Sequence, residues 1–63
     1  MGYKKYSDTA SAWEIIRQIK ESKITGNTAY RELETIKGEW RGTDLVDEAE
    51  YLINTMFSEY KYK

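Results

Sequence analysis

The chain has 63 residues, which allows one domain at most. Hydrophobic residues make up 40% and charged residues 33%, a globular balance rather than a disordered one. Cys and His are both absent, which excludes a disulfide framework, thiol nucleophiles, imidazole bases and the familiar zinc sites. Ten Lys and Arg face eleven Asp and Glu, for a net charge of −1 and a pI of about 5.4.

The distribution of charge says more than its total. Met1-Gly2-Tyr3-Lys4-Lys5-Tyr6 carries two cations and Lys61-Tyr62-Lys63 two more, while the segment between holds six cations against all 11 acids, a net of −5. An acidic body with basic, aromatic ends results. A chain of roughly 60 residues buries only about 60% of the surface it exposes when unfolded, so a deep water-excluding pocket is hard to build. No nucleophile–base pair is visible either, and a non-enzymatic protein without cofactor or metal is expected. Met1 to Asp8 is polar, and no run approaches the ~20 apolar residues of a membrane span. The expectation is a cytoplasmic protein with no membrane association.

Three helices are predicted from apolar stripes at the helical period, at about residues 8–22, 28–37 and 44–60. In the first, Ser7 or Asp8 is the N-cap, and Ala12, Trp13, Ile15, Ile16 and Ile19 share one side. Lys23-Ile24-Thr25-Gly26 reads as a turn, with Asn27 or Thr28 capping the second helix. There Ala29, Leu33, Ile36 and Trp40 recur at i, i+4, i+7 and i+11, and Gly38 is expected to end or loosen the helix. Thr43 caps the third helix, whose first turns hold Asp44, Asp47 and Glu48, acids that the positive end of a helix dipole favours. Its apolar residues are Leu45, Val46, Ala49, Leu52, Ile53, Met56, Phe57 and Tyr60, the cleanest amphipathic pattern in the chain. Short connections make this an all-α, small three-helix bundle in a single domain over 1–63, with ends that could be extended. Tyr3-Lys4-Lys5-Tyr6 and Tyr60-Lys61-Tyr62-Lys63 could pair as a small ribbon.

Two binding readings follow. Asp44, Asp47 and Glu48 share a helix face and could in principle hold a divalent cation, but dipole complementation accounts for them. On the polar side of the third helix, Tyr51 has Asp47, Glu50 and Asn54 as neighbours. Nine aromatic residues exceed what three short helices readily bury, and Tyr is enriched at protein interfaces. The leading expectation is therefore a protein-binding module, an inhibitor, adaptor or assembly factor, that meets a protein partner or a second copy through Asp47, Glu50, Tyr51 and Asn54.

The alternative comes from Ile24-Thr25-Gly26-Asn27-Thr28-Ala29-Tyr30-Arg31-Glu32-Leu33, continuing to Gly38. This stretch resembles the recognition-helix half of bacterial helix-turn-helix regulators and covers about a quarter of the chain. The resemblance implies a DNA-binding transcription regulator in which Asn27, Thr28 and Arg31 face the major groove. The negative body disfavours it, since affinity for DNA comes largely from neutralising phosphates.

Overall fold

The computed structural model describes residues 6–57. Three helices follow one another, α1 (Thr9–Lys20), α2 (Gly26–Glu39) and α3 (Asp44–Met56), and no strand occurs among the described residues. The fold is the expected all-α three-helix bundle.

Each helix is set by its ends. Asp8 caps α1: its Oδ1 accepts from the Ser11 backbone N–H at 2.8 Å. That hydrogen bond holds the Asp8 carboxyl below its ordinary value. Along the outer side of α1, Arg17 bridges Glu14 and Glu21. The Arg17 guanidinium, and after it the Gln18 amide, pull the Glu14 carboxyl down.

At the far end of α1 the Ser22 N–H bonds the Ile19 carbonyl at 3.0 Å, and the Lys23 N–H bonds that of Gln18 at 2.9 Å. These two bonds form a Schellman closure, which turns the chain through a left-handed residue. Here that residue is Ser22, at φ +64°. The closure stops α1 at Lys20, two residues short of the expected 22.

The second helix differs most from expectation. Thr25, not Asn27 or Thr28, is its N-cap, and the helix begins at Gly26, whose φ is +65°. It then runs through Gly38 to Glu39 instead of ending at 37. Ile36 and Trp40 bracket Gly38 and both pack on the core, so tertiary contacts hold the helix across the weak position. The chain leaves α2 at Trp40, whose N–H still bonds the Ile36 carbonyl at 2.9 Å. Gly42, at φ +82°, completes the turn. Thr43 locks it: its Oγ1 donates to the Trp40 carbonyl at 2.6 Å and accepts from the Leu45 N–H at 3.3 Å. The third helix starts where expected and ends at Met56, with Phe57 as its C-cap at φ −130°. Its expected continuation over 58–60, and the expected ribbon between the chain ends, lie outside the described residues.

The core joins Ala12, Ile16 and Ile19 of α1, Ala29, Leu33 and Ile36 of α2, and Leu45, Ala49, Leu52 and Ile53 of α3. Tyr6 and Phe57 close it, with Ile15, Ile24, Tyr30 and Trp40 partly buried around it. No polar or charged residue is buried among those described, so hydrophobic burial is the main holding force.

Two contacts fix the direction of the helices. Lys37 lies 3.8 Å from Glu50, and the Tyr30 ring meets Phe57 edge-on with centroids 5.7 Å apart. One contact joins the later part of α2 to the middle of α3, and the other joins the start of α2 to the end of α3. The two helices are therefore antiparallel, and they share the largest interface in the bundle. The first helix is tied to this hairpin at both ends. The Tyr6 N–H donates to Glu39 at 3.2 Å, and Lys20 pairs with Glu48 of α3 at 2.7 Å.

Candidate interaction face

The core stripe of α3 determines what its other side presents. With Leu45, Ala49, Leu52 and Ile53 turned inward, residues 47, 50, 51 and 54 must face outward. Asp47, Glu50, Tyr51 and Asn54 are all exposed and form one continuous strip, with 61% of Tyr51 open to solvent. Glu50 makes only the loose 3.8 Å contact with Lys37 at the edge of the strip. An exposed pair of this kind contributes at most about 1 kcal/mol, so Glu50 can exchange it for an incoming cation. The four residues that the sequence marks for partner contact are thus brought together.

The acids considered for a cation do not stay together. Glu48 is half-buried toward α1 and engaged by Lys20, whereas Asp44 and Asp47 are exposed. No group of three or more potential metal-ligating side chains occurs among the described residues.

The residues of the DNA-reading alternative are also exposed, in the first half of α2. Thr28 and Arg31 line a polar groove of about 300 Å³ with Glu32 and Thr35, and Asn27 lies outside that lining. Glu32 places a carboxylate beside Arg31, and exposed Glu34 follows, so this part of α2 is not a cationic surface.

One exposed aromatic escapes the sequence reading. Trp13 was expected on the apolar side of α1, yet 41% of it is exposed. The physical reason is its phase. It lies about 100° from Ala12, at the edge of the inward stripe, on the same helix line as Lys20 seven residues on. The charged Arg17 and Lys20 at i+4 and i+7 were the available signal. Met56, also expected inward, is 43% exposed in the last turn of α3, and it is the next residue, Phe57, that joins the core there. Tyr30, by contrast, is half-buried; burial, and then Glu34, raises its hydroxyl above its ordinary value.

These features define a class by architecture: a small three-helix bundle with an aromatic-centred, acidic outer face. No protein-family model, curated protein or solved structure matches the chain. No helix among the described residues is long and apolar enough to cross a membrane.

Proposed function

We propose that the protein is a non-enzymatic protein-binding module that meets its partner through Asp47, Glu50, Tyr51 and Asn54. The observation that carries this reading is Tyr51, a large ring held 61% exposed at the centre of a rigid helix. Tyr supplies wide contact area at small conformational cost and recurs among residues whose truncation weakens complexes most. Asp47 and Glu50 give that contact a charge preference, and Asn54 adds both a donor and an acceptor. The DNA-reading alternative has weaker support, because Glu32 and Glu34 accompany Arg31 and the described residues carry ten acids against six cations.

The test is capture of partners from a lysate of the native cells by immobilised wild-type and Tyr51→Ala proteins. A surface substitution of this kind should move stability by no more than about 0.5 kcal/mol. Loss of a contact worth more than ~1 kcal/mol should lower the recovered partner about fivefold. Equal recovery by the two proteins would move the interface off α3.

A further inference from the structure

The α3 strip has a neighbour on α1. Lys20 and Glu48 form the 2.7 Å bridge where the outer sides of the two helices meet. Trp13 lies on the Lys20 line of α1, about 10 Å back along the axis. Tyr51 follows Glu48 by one turn, about 4.5 Å along α3. Helical phase therefore sets both exposed aromatics on the side of the molecule that this ion pair spans.

The charges on that side are not evenly satisfied. Arg17 is taken up by Glu14 and Glu21, and Lys20 by Glu48. Asp44 and Asp47, which precede Tyr51 along the same side of α3, have no cation partner among the described residues. No Lys or Arg occurs anywhere from Gly42 to Tyr60. Arg17 and Lys20 are thus both paired with carboxylates, while Asp44 and Asp47 are not paired with a cation among the described residues.

We propose that the docking face extends across the α1–α3 seam to Trp13, and that its occupant is a Lys/Arg-rich amphipathic helix of a partner protein. This rests on the reading of α3 given above and adds the second anchor and the partner's chemistry. Along the axis the two rings lie roughly 15 Å apart, so a third helix on this side reaches both with apolar side chains about ten or eleven residues apart on one face. Trp13 and Tyr51 would meet those apolar side chains, while Asp44 and Asp47 would meet the flanking cations.

The experiment labels both tryptophans of the full chain with 5-fluorotryptophan and assigns the two fluorine signals with Trp13→Phe. The probes are a 20-residue amphipathic Lys/Leu peptide and a Glu/Leu peptide of the same pattern. The Lys peptide should shift the Trp13 signal to saturation and leave Trp40 in place. It should bind at least about tenfold more tightly than the Glu peptide. Trp13→Ala and Tyr51→Ala should each weaken it about fivefold or more, with both variants first shown to be folded by circular dichroism. If Tyr51→Ala weakens binding and Trp13→Ala does not, the seam proposal falls while the α3 reading stands. If neither does, both fall. Equal binding of the two peptides would overturn the basic partner. A Trp13 shift that grows with protein concentration alone would overturn it in favour of a second copy.

Discussion

Ser22 holds the one positive φ outside glycine among the described residues, and the chain turns from α1 to α2 through it. A left-handed conformation costs an L-residue roughly 1–2 kcal/mol, whereas glycine adopts it freely and loses part of that advantage to unfolded-state entropy. Ser22→Gly should therefore stabilise the protein by about 0.5–1 kcal/mol, a rise in Tm of several degrees in a domain this small. A thermal melt checks this, and an unchanged or lower Tm would show that the Ser side chain compensates locally. Ser22 also shows a limit of sequence reading. Lys23-Ile24-Thr25-Gly26 reads as a turn, and its glycine is indeed left-handed. Nothing in the composition around Ser22 marked it, because the Schellman hydrogen bonds and not residue preference impose its conformation. Trp13 was hidden for a different reason: a residue at the edge of an apolar stripe can turn either way, and its neighbours' charges decide.

The helices themselves were legible because their apolar positions repeat. Ala29, Leu33, Ile36 and Trp40 face the core at the spacing read from the sequence, as do Leu45, Ala49, Leu52 and Ile53. The strip of Asp47, Glu50, Tyr51 and Asn54 was legible as the complement of that pattern, although periodicity carries no information on what such a strip binds. Boundaries were less legible, since they depend on which interface continues past a weak residue. Gly38 is the case in point. It is helical, and a Cβ built there meets nothing within 4 Å. Gly38→Ala should thus remove the entropic penalty without a clash and stabilise α2 by about 0.5–1 kcal/mol. A higher urea midpoint with an unchanged slope is the expected result. A lower midpoint would mean that α2 needs a flexible joint at that position.

The molecule as a whole has little stability to spare. A single core of this size, with no cysteine for a disulfide, leaves net stability on the order of 3–5 kcal/mol. Leu33 is fully buried at the centre of α2. Removing such a side chain typically costs about 2–5 kcal/mol in lost transfer energy and residual cavity. Leu33→Ala should therefore be largely unfolded at 37 °C, read as loss of helical circular dichroism and of the cooperative melt. Retention of a native melt would show that the core collapses around the gap or that association supplies stability from outside. Tyr51→Ala, outside the core, should melt like the wild type, and the pair separates the residues that hold the bundle from those on offer to a partner.

The position of α1 bears on how the protein is made. Its inward residues Ala12, Ile16 and Ile19 find their cover in α2 and α3, yet α1 is synthesised first. A helix of 12 residues is marginal in water on its own. At about 5–20 residues per second, the ribosome needs about 2–7 s more to reach Phe57. During that interval the apolar side of α1 has at most α2 to pack on. The α2–α3 hairpin, which shares the largest interface in the bundle, supplies the greater part of the surface against which α1 is finally covered. Of the three helices, the one translated before the other two is the one whose cover arrives last.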